Sequence, residues 1–286
     1  MENTFVIPVI RDDLIDRCLE TLYERTPDGF YVCVVDQTPS GLGTERLRST
    51  YENLLVLRSP RTATHTTGNL GFSKAVNMGL ALVETPYATI CNDDVEFIHP
   101  LWWDGVMSAF DRLESATPPR RPAVVTPISV KLPHWSIGNP PGEDHHVLPY
   151  RRDWCDEDWE FLVNEPHPVN KRLTIRPRSF NEGAELFCSV ARMDRLRQVG
   201  PLNERFYPGG GEDYDYNRRV RTHGFCCVST SESWVYHHWG QSRRMVTANR
   251  ASADEALRWN NLSSLWHGRG QAESVALLPP ISKRPL

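Results

Sequence analysis

The sequence has no run near the roughly 18 consecutive apolar residues that a membrane-spanning helix needs, so no transmembrane segment is expected. Its start, Met1-Glu2-Asn3-Thr4, lacks the basic-then-apolar form of a signal peptide. An excess of positive charge is also missing. With a net charge of -4 the chain has no global attraction for nucleic acid, which leaves only a local basic patch open. The seven cysteines, Cys18, Cys33, Cys91, Cys155, Cys188, Cys226 and Cys227, are odd in number and follow no metal-binding spacing. Most lie inside apolar runs, the pattern of reduced, buried thiols, and a cytoplasmic location is expected. Gly-x-Gly-x-x-Gly is absent, so a dinucleotide fold is not indicated. No internal repeat is present.

What is there suits a globular protein. The 286 residues are 40% hydrophobic and 24% charged, ample for a sizeable core. The first third alternates strand and helix signals. Strands are expected at 5–10, 30–35, 53–57 and 87–91, and helical stripes run through Leu14 to Tyr23 and Phe72 to Val83. Asp12 or Asp13 is the candidate cap of the first helix. Such alternation predicts an α/β fold with a mostly parallel central sheet and helices on both faces. Residues 133–177 form a long irregular insertion rich in Pro, His, Trp and charge, read as a lid or recognition loop. Further strands are expected at 123–130, 184–190, 225–228 and 234–238, and helices at 193–199 and 213–223. An amphipathic C-terminal helical tail closes the chain.

In an open α/β sheet, ligands bind beyond the carboxyl ends of the strands. Asp36 and Asp94 stand at two such ends, as ligand contacts or as simple loop caps. Asn92-Asp93-Asp94 concentrates hard oxygen donors in one turn, which suits Mg²⁺ or Mn²⁺ with diphosphate oxygens completing the shell. The Gly68-to-Gly79 segment opens a helix with small residues, whose start offers N–H groups to an anion or packs closely on its neighbours. Gly209-Gly210-Gly211-Glu212-Asp213 sets a carboxylate pair after a pliable backbone. The pair can act as a general base, or favour a helix N-terminus. In His237-His238 a neutral imidazole can complete a metal site or be structural. Cations recur late, at Lys171, Arg172, Arg176, Arg178, Arg218, Arg219, Arg243 and Arg244.

The order of these pieces resembles the family 2 glycosyltransferases of GT-A (Rossmann-like) fold, especially the rhamnosyltransferase-like branch. Asn69-Leu70-Gly71-Phe72 through Asn77-Met78-Gly79 is similar to that family's Asn-x-Gly-Phe-x-x-Ala-x-Asn-x-Gly. Asn92-Asp93-Asp94 stands where it carries Asp-x-Asp, and Glu212-Asp213-Tyr214-Asp215 with Arg219 resembles its Glu-Asp-x-Asp-x-x-x-Arg. His237, Gly240 and Ser242 match its closing His-x-x-Gly-x-Ser. The resemblance covers residues 4–245.

It implies an inverting, metal-dependent transfer of sugar from a UDP-, dTDP- or GDP-sugar. The acceptor hydroxyl can belong to a glycan, protein, lipid or modified nucleobase. Asp213 would be the base, with Glu212 beside it. Asp36 would bind the base or ribose, with Asn69, Gly71, Phe72, Asn77, Asp93 and Arg219 on the donor side. Gly183 and Glu185 would face the acceptor. Asp94 would ligate Mn²⁺ or Mg²⁺, with His237 as second ligand, a choice over His238 that rests on spacing. Asn92 departs from the pattern. One catalytic domain is expected over 1–245, with a nucleotide-binding half at 1–100, an acceptor-binding half at 101–245 and the tail at 246–286. Rival readings are a non-catalytic sugar-nucleotide or glycan-binding module, against which the intact acid pair argues. A nucleotidyltransferase would need a basic Gly-rich segment that Pro8-Val9-Ile10-Arg11-Asp12 does not supply.

Overall fold

The computed structural model describes residues 2–61, 68–130, 176–177 and 184–238. The expected insertion lies almost wholly outside the described residues, as do the C-terminal tail, Gly183, Gly240 and Ser242.

The chain begins with β1 (Asn3–Val9), α1 (Ile15–Arg25), β2 (Phe30–Asp36), α2 (Thr44–Thr50), β3 (Leu54–Arg58), α3 (Phe72–Leu80) and β4 (Tyr87–Cys91). There follow β5 (Val95–Glu96), α4 (Trp102–Glu114), β6 (Pro122–Val130), β7 (Arg176–Pro177), β8 (Cys188–Arg192), α5 (Met193–Val199), α6 (Glu212–Thr222) and β9 (Cys226–His237). The strands form one sheet in the order β3-β2-β1-β4-β8-β6-β9-β5, with β7 also on β9. The pairings of β3, β2, β1 and β4 are all parallel, and β8 joins β4 antiparallel. The second half is mixed: β6 pairs antiparallel with β8 and parallel with β9.

Every residue of β1 is buried, as a central parallel strand covered on both faces requires. Its side chains alternate between two cores. Phe5, Ile7 and Val9 meet Ile15, Leu19 and Leu22 of α1 and Trp102, Val106 and Phe110 of α4. Val6 instead meets Ala75 and Val76 of α3, in a core that also holds Leu196 of α5 and Val220 of α6. Gly79 lies so close to Val6 that no Cβ fits between them. α3 therefore lies directly on the sheet.

Sequence and structure differ at several elements. The pieces expected at 225–228 and 234–238 are one strand, β9. Its polar middle misleads, because Thr230 and Ser233 are buried, and Ser233 Oγ donates to Trp102 O at 2.7 Å. Residues 184–187 are irregular, and β8 starts only at Cys188. α2 and α4 were not anticipated. Neither Asp12 nor Asp13 caps α1; Leu14 holds that position without a side-chain bond, and Asp13 instead pairs with Arg11.

Candidate functional site

Running from β1 to β2 and β3 takes the chain one way across the sheet, and β4 returns to the other side of β1. The carboxyl ends of β1 and β4 thus flank a topological switch point, where such sheets bind ligands. Asn92-Asp93-Asp94 leaves β4 there. Burial and the neighbouring Asp94 push the Asp93 carboxyl up to about 8, against backbone hydrogen bonds from Ile10 and Arg11 that favour its charge. Those bonds sew the end of β1 to the end of β4.

β5 then pairs antiparallel with the end of β9, Val95 opposite His237. This register brings Asp94 Oδ1 within 3.1 Å of His237 Nε2, both side chains nearly buried. His237 stacks flat on Phe187, ring centroids 4.8 Å apart, which fixes the imidazole plane. Asn92 Nδ2 lies 3.2 Å from the same Nε2. Burial opposes charge on Asp94, but His237 and His238 outweigh it and hold the carboxyl below its ordinary range.

His238 turns the other way. Its Nε2 lies 2.6 Å from Glu96 Oε1, and Glu96 Oε2 accepts from Arg17 Nε at 3.2 Å. Of the two histidines, only His237 faces Asp94.

The pair fits a small divalent cation. Metal–ligand distances of about 2.0–2.1 Å at near-octahedral angles place adjacent donors about 3 Å apart, the separation seen here. Among the described residues no cluster of three or more His, Cys, Asp or Glu side chains forms a metal site. The pair would therefore leave most coordination positions to a ligand and water.

Asp36, implied as a base or ribose contact, is bonded within the protein. It is 1% exposed. Oδ1 accepts from Thr38 N at 2.9 Å and Thr38 Oγ1 at 2.7 Å; Oδ2 accepts from Leu42 N at 2.9 Å and Arg58 Nη1 at 2.5 Å. A carboxylate offers about four acceptor sites, so these bonds fill it. Burial opposes its charge, but the bonds prevail and hold the carboxyl low. Asp36 organises the loop after β2 and does not reach out of it. Gln37 extends this frame, its Oε1 accepting from Leu70 N at 2.8 Å.

The segment opening α3 is also occupied by protein. Asn69 Oδ1 accepts from Gly71 N at 2.9 Å. Gly71 has φ +84°, and a Cβ there would stand 2.8 Å from Tyr207 Cδ2 and 3.1 Å from Pro208 O. Phe72 N donates to Pro208 O at 2.7 Å, so the first N–H of this helix is bonded within the protein. Asn77 Nδ2 donates to Leu202 O at 2.9 Å and Glu204 Oε1 at 3.0 Å, while its Oδ1 accepts from Leu202 N at 2.9 Å.

The acid pair opens α6. Gly211 precedes it with φ +97° and lies against Phe206. Gly210 N donates to the Glu212 carboxylate. Burial and the adjacent Asp213 push Glu212 up to about 7, into the range of a proton acceptor working near neutral pH. Tyr214 N donates to Asp213 Oδ1 at 2.9 Å.

Arg219, expected on the donor, points into the protein. It is 5% exposed, bonds Asp215 Oδ2 at 2.9 Å and Val199 O at 3.0 Å, and lies over the Tyr216 ring. Its spacing of four from Asp215 is that of an intrahelical ion pair. Glu185 is half-buried in the irregular run before β8.

The sequence reading missed the roles of Arg58, Gln37 and Pro208. Glu96 lies two residues after Asp94 on a short strand and carried a readable signal. Arg58 and Pro208 act through long-range contacts that no local pattern announces.

Comparison with known proteins shows the family and the fold. Residues 4–151 match a family model described as Glycosyl transferase family 2. Curated proteins give no match. Among solved structures, the mannosyltransferase PcManGT from Pyrobaculum calidifontis, in complex with GDP-Man and Mn²⁺, superposes with TM-score 0.52 at 15% identity. That match covers 90% of this chain and 64% of the mannosyltransferase. S. aureus TarS 1-349 in complex with UDP gives 0.53 at 12% identity, over 94% of this chain and 73% of that one. GalNAc-T7 with UDP, GalNAc and Mn²⁺ gives 0.53 at 12%, over 82% and 43%. Likeness at this identity shows a shared α/β fold.

Proposed function

Since the chain belongs to glycosyl transferase family 2, we propose that it moves a sugar from a nucleoside-diphosphate sugar to an acceptor hydroxyl, inverting the anomeric carbon. The observation that carries this reading is the buried Asp94–His237 pair, 3.1 Å apart at the sheet's switch point. Its donors suit Mn²⁺ or Mg²⁺, which when bound neutralises the charge of the departing diphosphate.

The protein's own groups do the rest. Asp213, with Glu212 beside it, takes the proton from the acceptor hydroxyl. That oxygen forms the new bond to the anomeric carbon as the bond to the diphosphate breaks. Glu212, raised to about 7 by burial and by the adjacent Asp213, is a second proton acceptor beside it. His237, its plane fixed by Phe187, and Asp94 stay in place through the reaction. Asp93 holds the ends of β1 and β4 together beneath the donor. The motif order supports a rhamnosyltransferase-like subgroup, and the intracellular-type cysteines support a cytoplasmic setting.

A donor screen tests the proposal. Binding and hydrolysis of UDP-glucose, GDP-mannose and dTDP-rhamnose are measured with and without Mn²⁺, with Asp94→Ala as control. Metal-dependent binding that the substitution abolishes is expected. Donor binding indifferent to both metal and Asp94 would refute it.

A further inference from the structure

Three independent ties join α3, on the donor side, to the segment that leads into the acid pair. Phe72 N donates to Pro208 O at 2.7 Å. Asn77 clasps the backbone of Leu202 from both sides, as donor to its carbonyl and acceptor from its N–H, each at 2.9 Å. Gly71 leaves no space for a Cβ between α3 and Tyr207-Pro208. The mutual bonds with Leu202 settle which way the Asn77 amide faces. Both of its amide hydrogens are taken, one by Leu202 and one by Glu204. The side chain has no donor left for a nucleotide.

The segment it holds needs holding. Gly210 and Gly211 have φ +101° and +97°, and each backbone residue fixed into one conformation costs about 1–2 kcal/mol of entropy. Downstream, α6 is anchored by Arg219 on Val199 O and by Asn217 on Ala184 O. Upstream, Phe206 is buried against Gly211. α3 supplies a further anchor, through Phe72 N on Pro208 O and Asn77 on Leu202.

We infer that Asn77 and Gly71 are positioning residues for the general base: they hold the loop that carries Glu212 and Asp213 at a set distance from the donor half. This inference rests on the assignment of that acid pair as the base. The Asn-x-Gly-Phe segment then works by setting where the acceptor's proton is received. Misplacing a reacting group by about 1 Å costs on the order of 100-fold in rate, so loss of the clasp should fall on turnover.

The test uses the full-length protein loaded with Mn²⁺. Affinity for UDP, GDP and dTDP is measured by calorimetry. Hydrolysis is followed with whichever of UDP-glucose, GDP-mannose and dTDP-rhamnose is cleaved fastest. For Asn77→Ala and Gly71→Ala, the expected result is kcat lower on the order of 100-fold with nucleotide affinity unchanged. In N77D the new carboxylate faces Leu202 O and Glu204. The double variant N77D/E204Q lets an amide at 204 donate to the carboxylate at 77, and should recover part of the lost rate. A nucleotide affinity that falls in step with the rate would show a donor contact and overturn the inference. So would N77A turnover equal to wild type, or no recovery in the double variant. Asp213→Asn separates the two claims. If it hydrolyses donor at the wild-type rate, the base assignment falls and takes the inference with it. If it is inactive while N77A is fully active, the inference alone falls.

Discussion

Replacing Asp36 with Asn tests whether this carboxylate builds its loop or binds nucleotide. The side chain is 1% exposed and accepts from Thr38 N, Thr38 Oγ1, Leu42 N and Arg58 Nη1. An amide has one acceptor oxygen, and its NH₂ must face a pair of donors. The milder arrangement puts NH₂ on the Thr38 side. There the hydroxyl can rotate to accept, but the Thr38 N–H is stranded. A stranded buried N–H costs about 1–3 kcal/mol, and loss of the charge weakens the Arg58 bond by about 1 kcal/mol more. The sum, about 2–4 kcal/mol, converts to a fall in Tm of roughly 5–15 °C for a domain of this size. Thermal unfolding at neutral pH, followed by circular dichroism, reads it directly and needs no substrate. The reasoning is refuted if Asp36→Asn melts with wild type while its affinity for nucleoside diphosphates collapses. That outcome would restore Asp36 to the nucleotide.

Other expectations can be measured on the same material. His237→Ala should abolish Mn²⁺ binding, read by electron paramagnetic resonance, whereas His238→Ala should leave much of it, because only His237 faces Asp94. Donor hydrolysis should rise with pH through an apparent pKa near the value of about 7 to which Glu212 is raised; Glu212→Gln should flatten that limb, and a wild-type profile level from pH 5 to 8 would count against the acid pair as base. The folded-state value of Glu212 lies above its ordinary one, so its stabilising contribution is complete below the unfolded value and is lost as pH rises through about 7. Glu212→Gln should therefore gain stability relative to wild type over that window, read by denaturant titration. Arg219→Ala strands Asp215 in the core and should destabilise the protein by about 3–5 kcal/mol without changing nucleotide affinity in the fraction that remains folded.

The parallel strands were legible because a buried parallel strand is written as a mostly apolar run: Phe5 to Val9, Val32 to Val35, Ala88 to Cys91. The turn after β4 and the acid pair were legible because both concentrate carboxylates at the ends of elements. The partnership of Asp94 with His237 was named from motif order alone, and the β5–β9 register supplies its physical cause. Other features needed the folded chain. α4 carries Trp102, Val106, Ala109, Phe110 and Leu113 on one buried face. That stripe was readable at helical spacing but was not recognised. The intramolecular bonds of Asp36, Asn77 and Arg219 were not legible for a shared reason. Each is polar and sits in a motif, which suggests a ligand. Each proves bonded to backbone or charge distant in sequence: Arg58 for Asp36, Leu202 for Asn77, Val199 for Arg219.

The register that sets His237 beside Asp94 has a consequence for the order of events during synthesis. Asp94 emerges early, with the whole parallel quartet of strands already translated, yet its partner belongs to the last described strand. A ribosome-bound chain that has released only the first half holds Asp94 without the strand that carries its partner. Chains cut short before residue 237 are left with Asp94 and no imidazole opposite it. On the proposed assignment of Asp94 and His237 as cation ligands, cation affinity would be a gauge of completeness, arising only once β9 has paired with β5.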